Sequence, residues 1–209
     1  IEFMDFKNIR ALVTDGGGRQ TLTIIRGLKD IGCHVTVLCK QKLDLCYSSR
    51  LPNKKLLIKD MIGSEGLHRT ILREITTGNY DVLVPIAENS TNLVTFHEDE
   101  YKKYVHIACA PRDAYIQAFN KQITFEKAMA SGVPCPVTRH EGEAIDAFLD
   151  RTPFPIILKP RNGVGSIGFH KMDSREEFKT YIEEKNINID DYVVQEFIHF
   201  IQRRSGYIL

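Results

Sequence analysis

In the first half of the chain, short apolar runs alternate with longer segments whose apolar residues recur at helical spacing. The runs predict buried strands at residues 9–14, 33–38, 81–86 and 105–108. The intervening segments predict a helix that ends at Gly32 and further helices at 65–77 and 89–104. Strands separated by helix-length segments favour right-handed crossovers, so we expect an α/β unit with a parallel, Rossmann-like sheet.

Near Ala118 the pattern changes, because the strands become more closely spaced. Helices are predicted at 121–131, 141–149 and 174–185, and strands at 154–159, 169–172 and 192–197. This pattern is typical of a small α+β domain. We therefore divide the chain into domains at 4–118 and 119–209, and set aside residues 1–3, which resemble a cloning scar before Met4.

The net charge and the spacing of the cysteines argue against several classes of function. The 209 residues include 28 Lys plus Arg and 27 Asp plus Glu, a net charge of +1, which argues against a nucleic-acid partner. The apolar runs are too short for a membrane helix and no signal peptide is visible. The five cysteines form no CxxC pair, which favours reduced thiols in the cytoplasm and argues against zinc, and the seven histidines show no ligand spacing.

The first glycine cluster, at residues 15–20, lies between a predicted strand and a predicted helix. Backbone N–H groups at such a turn can hold an anion. Thr21 stands where the dinucleotide fingerprint needs glycine, and Lys40 stands where an acidic residue would hold a ribose, so the pattern argues against NAD. A tight strand-to-helix turn and a substrate-side anion site remain the alternatives.

The second glycine cluster follows Lys159, which ends an apolar strand. A lysine in that position is costly to bury unless an anion is present, and the glycines of 162–168 allow a loop to fold over that anion. The order of lysine and glycines is not that of a Walker loop. A flexible hairpin with Lys159 extended to solvent is the alternative.

Three segments in this half resemble a known family: FNKQITFEKAMASGVPCPVT, PFPIILKPRNGVGSIG and YVVQEFI. They are similar to the first half of the ATP-grasp fold, in the branch of the carbamoyl-phosphate synthase large subunit and the carboxylate–amine ligases. Upstream, ALVTDGGGRQTLTIIRGLKDIGCHVTV and DVLVPIAENSTNLVTFHEDEY resemble the pre-ATP-grasp domain of that branch. The resemblance implies that 119–209 is the N-terminal part of an ATP-grasp domain that continues beyond Leu209.

The resemblance also implies roles for individual residues in ATP binding. Lys121 would contact the α-phosphate, and Lys159 would bridge the α- and β-phosphates. The loop at 162–168 would be a lid over the phosphates, and the Glu196 carbonyl and the Ile198 N–H would bind adenine. A solvated lysine at 121 and an edge strand with alternating exposure at 195–196 are the alternatives. The implied ATP-binding residues are Lys121, Lys159, Asn162, Gly163, Gly165, Ser166, Gly168, Gln195, Glu196 and Ile198.

The sequence identifies residues that could bind the acceptor substrate or a metal less clearly than it identifies the ATP-binding residues. Glu88 and Asn89 follow a predicted strand, where the resemblance places part of the acceptor pocket, and Gly17 and Arg19 belong to the first glycine cluster. A helix N-cap is the alternative for 88–90. Gln202 stands where relatives have a ribose-binding Glu. The family's magnesium carboxylates lie in the second half of the fold, so no metal ligand is expected within these 209 residues.

The resemblance therefore implies an ATP-dependent carboxylate–amine ligase, or a similar ligase, that acts with Mg²⁺ through an acyl phosphate. Its partners would be a small carboxylate and an amine, without nucleic acid or membrane, and a homo-oligomer is left open. The 209-residue chain alone is expected to be inactive. A non-catalytic nucleotide-binding or regulatory module and an NAD(P)-binding Rossmann protein are the alternative functions.

Overall fold

A computed structural model describes residues 6–163 and 167–198. The chain forms two compact units, one extending to Tyr115 and the other starting at Ile116. The division falls within a helix at Arg112–Phe119.

The first unit is built on five parallel strands. They are β1 (Arg10–Val13), β2 (His34–Cys39), β3 (Lys54–Leu57), β4 (Val82–Val84) and β5 (His106–Ile107), in the order β3-β2-β1-β4-β5. The helices are α1 (Arg19–Asp30), α2 (Leu45–Ser48), α3 (Glu65–Thr77), α4 (Glu88–Phe96), α5 (Glu98–Tyr101) and α6 (Arg112–Phe119). The expected α/β class with a parallel sheet is confirmed.

Both faces of this sheet are covered, which explains why its central strand is a continuous apolar run. Leu12 of β1 packs in one buried cluster with Leu38 and Leu83. Ala11 and Val13 point to the opposite face and pack in a second cluster. A parallel strand buried on both faces needs apolar residues at every position, whereas a half-exposed strand alternates.

Two parts of the first unit differ from the sequence prediction. The helix predicted at 89–104 is interrupted at His97, where α4 ends and α5 begins. The three acidic residues 98–100 form the first turn of α5 and favour a new helix start, because acidic groups stabilise helix N-termini. The search for apolar runs does not predict strand β3, because this strand lies at the sheet edge and begins with two lysines.

The second unit pairs three antiparallel strands with helices. The strands β6 (Ile156–Pro160), β7 (His170–Met172) and β8 (Tyr192–Glu196) have the order β7-β6-β8. The helices are α7 (Lys121–Ala130), α8 (Ile145–Arg151) and α9 (Arg175–Glu184). The buried core of this unit comprises Phe148, Leu149, Ile156, Leu158, Met172, Phe178 and Val194. None of the helices in the described residues is long and apolar enough to cross a membrane.

Helix α8 starts four residues later than the predicted helix at 141–149. The reason is that Glu143 forms part of a turn: its carboxylate accepts from His140 N (2.9 Å), and its carbonyl accepts from Arg139 Nε (2.7 Å). Glu143 also binds Arg151 through Oε1 to Nε at 2.8 Å. The hydrogen bond from Arg151 lowers the pKa of Glu143 to about 2.

Glu143→Gln should therefore destabilise the protein near neutral pH. A carboxyl with a lowered pKa in the folded state contributes stability above its ordinary pKa of 4.5, and this contribution is lost as pH falls toward 2. We expect the thermal unfolding midpoint of Glu143→Gln to fall by several degrees near neutral pH, with a smaller difference in acid. Glu184→Gln, at an exposed position of α9, is the matched control. Equal midpoints for the Glu143 variant and the parent at neutral pH would contradict the assigned role.

Candidate functional site

Lys159 lies near the end of β6, and its ammonium group is half-buried. Its Nζ donates to Gln195 Oε1 at 3.0 Å and lies 4.6 Å from the centre of the Phe125 ring. Within the described part of the chain, no carboxylate lies within ion-pair distance of Lys159. Burial lowers the pKa of Lys159, and the nearby charge of Lys121 lowers it further. A charged group held in this way favours binding of an anion.

Lys121 is the first residue of α7 and is attached to the start of the second glycine cluster. Its backbone N–H donates to Arg161 O at 2.9 Å, and its Nζ donates to Gly163 O at 2.7 Å. The helix start itself is fixed by the Asn120 side chain, which accepts from Gln122 N and Ile123 N. Lys121 is therefore not a freely solvated lysine, and its charge is held beside the glycine-rich segment.

Arg161 is a third positively charged residue beside Lys121 and Lys159, and the sequence motifs did not predict a role for it. Its Nη1 pairs with Glu141 Oε2 at 2.7 Å, but among the described residues its buried Nε and Nη2 have no hydrogen-bond partner. Buried guanidinium N–H groups are normally bonded, so these two groups are candidates to donate to an anionic ligand. The signal in the sequence was an arginine directly after the strand-ending Lys159-Pro160.

The side chain of Gln195 lies beside Lys159, which the sequence did not indicate. Its side chain is buried: Nε2 donates to Thr138 Oγ1 at 2.7 Å, while Oε1 accepts from Lys159. It thus orients Lys159. The alternating exposure considered for this strand is wrong, since Val193, Val194 and Gln195 are all buried. The free edge of β8 is covered by residues 137–139, which bond to Val194 and Glu196.

Glu196 and Ile198 follow at the end of β8. The Glu196 N–H donates to Val137 O at 2.8 Å, and Val137 N donates to the Glu196 side chain rather than to its carbonyl. Ile198 is 60% exposed. An exposed apolar residue directly after a hydrogen-bonded strand end is compatible with an adenine-contacting hinge.

The glycine-rich loop is described only in part. Asn162 and Gly163 are exposed. Gly163 and Gly168 have φ values of 105° and 75°, which favour glycine. A Cβ at Gly168 would lie 2.8 Å from Pro160 Cγ, so the loop returns close to the end of β6. Gly165, Ser166 and Gln202 lie outside the described residues.

The first glycine cluster forms a tight turn between β1 and α1. Asp15 has φ 61°, and Gly16 N donates to Leu38 O at 2.8 Å. A Cβ at Gly16 would collide with Cys39 Sγ, so the turn packs closely against β2. These contacts explain the glycine at position 16 by packing.

The carboxylate of Asp15 caps the start of α4. It accepts from Ala87 N at 2.9 Å and from Ser90 Oγ at 2.7 Å, and it also bonds Thr14. Because α4 has no cap from its own N-cap residue, Asp15 satisfies orphan N–H groups there. The sequence did not reveal this partnership, since 72 residues separate Asp15 from Ala87.

A cavity of about 330 Å³ lies at the carboxyl ends of the central strands of the first unit. Parallel sheets commonly bind ligands there. Among the described residues, Gly17 lines this cavity, together with Lys40 and Asp44, whereas Arg19 and Glu88 do not. Asn89 lines a separate cavity of about 480 Å³. The structure therefore does not bring the four proposed substrate residues together.

Comparison with known proteins assigns a family to the second unit. The ATP-grasp domain family matches residues 118–202. No curated protein sequence matches the chain significantly.

Solved structures share the fold over nearly the whole chain. The biotin carboxylase domain of Hydrogenobacter thermophilus 2-oxoglutarate carboxylase, with MgADP, ADP and bicarbonate, gives a TM-score of 0.75 at 15% identity, covering 94% of this chain and 45% of that one. N5-carboxyaminoimidazole synthetase from Staphylococcus aureus, with ADP, gives 0.68 at 16% identity, covering 94% and 49%. The L-amino acid ligase from Bacillus licheniformis gives 0.64 at 16% identity, covering 92% and 45%.

This chain spans about half the length of those structures. Residues 118–202 match the ATP-grasp domain family by sequence, and more than nine-tenths of the chain shares its fold with those structures.

Proposed function

We propose that this chain is the ATP-binding portion of an ATP-dependent carboxylate–amine ligase, or a similar ligase, that acts through an acyl-phosphate intermediate. The observation that carries the proposal is the placement of Lys121, Lys159 and Arg161 around residues 159–163. Lys159 is half-buried and bonded to an amide, and Arg161 has buried N–H groups that find no partner among the described residues. Three positively charged side chains whose charge is only partly balanced by neighbouring groups favour binding of a polyphosphate.

The comparisons support a nucleotide as that ligand. Two of the similar structures, the Hydrogenobacter and Staphylococcus proteins, are complexes with ADP. When bound, ATP supplies the phosphoryl group that activates a carboxylate toward an amine. The chain's own residues bind and orient it: Lys159 at the α- and β-phosphates, Lys121 at the α-phosphate, and Gln195 as the group that positions the Lys159 ammonium.

We further propose that Arg161 contributes to phosphate binding and that adenine lies against the end of β8. The Glu196 carbonyl would accept from the adenine amino group, and the Ile198 N–H would donate to a ring nitrogen. Asn162, Gly163 and Gly168, with Gly165 and Ser166, would supply N–H groups over the phosphates. Small carboxylate and amine substrates remain part of this proposal, as does a cytoplasmic location.

Mg²⁺ is part of this proposal, but we place none of its ligands among the described residues. The one group of three close metal-ligating side chains found among them lies in the first unit and includes two histidines, whereas Mg²⁺ prefers oxygen ligands. We therefore assign no magnesium ligand to residues 116–163 and 167–198. In the proposed ligase these ligands come from the second half of the ATP-grasp fold.

Titration of the purified chain with ADP and with NAD⁺ tests the proposal. We expect saturable heat of binding for ADP and none for NAD⁺, because the cation group fits a polyphosphate and Thr21 and Lys40 do not fit a dinucleotide. NAD⁺ binding without ADP binding would overturn the proposal.

With ATP and Mg²⁺, we expect this 209-residue chain to release no more phosphate than its Lys159→Ala variant does, whichever carboxylate and amine are added. Phosphoryl transfer depends on metal-assisted charge neutralisation, and no described residue set supplies it. Phosphate release that requires Lys159 would show that the chain is catalytic by itself.

A further inference from the structure

Two histidines and a glutamate from separate helical segments meet on the first unit. His68 belongs to α3, His97 lies between α4 and α5, and Glu100 belongs to α5. One potential ligand atom from each of the three lies within 4.8 Å of the other two. The cluster is separate in sequence from the lysines and the arginine of the second unit. The sequence gave no sign of it, because no short motif joins the three positions.

The distance between His68 and Glu100 matches the edge of a coordination shell better than a hydrogen bond. His68 Nε2 lies 3.4 Å from Glu100 Oε2, and His97 Nε2 lies 3.5 Å from Glu65 Oε1. Both separations exceed the 2.7–3.2 Å range typical of N–H···O bonds. With metal–ligand bonds of about 2.1 Å, the edge of a tetrahedral Zn²⁺ site is about 3.4 Å.

His68 is held in the orientation that a ligand needs. Its Nδ1 lies 2.8 Å from the hydroxyl of Tyr101, whose side chain is fully buried. If Nδ1–H donates to this hydroxyl, the Nε2 lone pair faces Glu100, as in metal sites whose histidines bond through their second nitrogen.

His97 is the residue that must adjust. The imidazole rings of His68 and His97 are stacked, with centroids 3.8 Å apart and an angle of 19° between planes. A metal lies in the plane of each imidazole that binds it, so the stacked arrangement cannot serve one ion with both rings. The side chain of His97 is 28% exposed and lines the 480 Å³ cavity, which leaves it room to rotate.

The donor set selects the class of ion. Imidazole nitrogens suit Zn²⁺ and neighbouring transition metals, whereas Mg²⁺ and Ca²⁺ prefer oxygen ligands. We propose that His68, His97 and Glu100 form a Zn²⁺-class site that fixes α3 to the junction of α4 and α5.

Titration of the metal-free 209-residue chain with ZnCl₂ tests this site. We expect one saturable Zn²⁺ per chain, and at least about tenfold weaker binding for His97→Gln and for Glu100→Gln, since each removes one ligand. Both residues are partly exposed, so these substitutions should leave the fold intact. His106→Gln, at an exposed position of β5, is the matched control and should bind like the parent chain.

Cobalt provides a readout of the ligands themselves. Co²⁺ bound at this site should give visible absorption typical of nitrogen and oxygen ligands, and His97→Gln should abolish it. A sulfur-to-cobalt charge-transfer band would instead place the metal on the cysteines and overturn the proposal. Absence of saturable Zn²⁺ binding, or unchanged affinity in both His97→Gln and Glu100→Gln, would also overturn it and leave two histidine–glutamate ion pairs.

Discussion

Lys159→Ala should weaken binding of ADP to this chain by at least about tenfold, equivalent to about 1.4 kcal/mol. The Lys159 ammonium is half-buried over the Phe125 ring, and its one hydrogen-bond partner among the described residues is the Gln195 amide. Charge interactions strengthen as water is excluded, so its attraction to phosphate should exceed that of an exposed lysine. Isothermal titration with ADP gives the two affinities directly.

Two further variants make the result specific. Lys121→Ala should weaken ADP binding less than Lys159→Ala does, because Lys121 Nζ already donates to Gly163 O. Lys179→Ala removes the same charge from an exposed position of α9, where Lys179 pairs with Asp146, and should bind ADP like the parent chain. Equal ADP affinity in the parent and Lys159→Ala would remove the phosphate-binding role from Lys159.

Much of the fold was predictable because its strongest signals are local. The helix predicted at 65–77 coincides with α3, whose apolar residues follow the helical period and whose start is capped by Ser64. Buried runs such as 192–197 located strands to within one or two residues. Strand β3 is an exception because it forms only by pairing with β2 at the sheet edge, and a sequence window does not contain that information.

The candidate site was predictable to a similar degree. Lys159 and Lys121 were identified from a strand-ending lysine, from the glycines after it and from a family resemblance. Gln195 was assigned to the adenine hinge, yet its side chain bonds Lys159 and Thr138. Since β6 and β8 are antiparallel with Ile157 opposite Gln195, only the sheet register brings Gln195 to Lys159. Arg161 was visible in the sequence, but its unpartnered N–H groups are a product of packing.

Long-range partnerships account for most of what the sequence did not reveal. Asp15, just after β1, caps α4, which follows β4, and His68 meets His97 and Glu100 from another helix. In each case no single residue indicates the partnership. The residues meet only because the crossover connections of the parallel sheet bring distant segments together. Spacing rules detect ligands that share one turn or one helix, so they miss sets assembled in this way.

ADP binding should also weaken at alkaline pH, because Lys159 loses its proton there sooner than an ordinary lysine. In the free protein, burial lowers the pKa of Lys159, and the nearby charge of Lys121 lowers it further by a smaller amount. A bound phosphate group favours the ammonium form and raises the pKa in the complex. Affinity should therefore be constant below the pKa of the free protein. It should fall up to about tenfold per pH unit between the free and bound pKa values.

Lys159→Arg distinguishes this cause from a general effect of alkali, because a guanidinium stays charged throughout the range. We expect the affinity of the parent for ADP to fall at pH values below the ordinary lysine pKa of 10.5, while that of Lys159→Arg changes less, even if it is lower at neutral pH. Parallel pH profiles for the two proteins would mean that ADP does not sense the charge of Lys159, and the phosphate site would then have to be placed elsewhere in the chain.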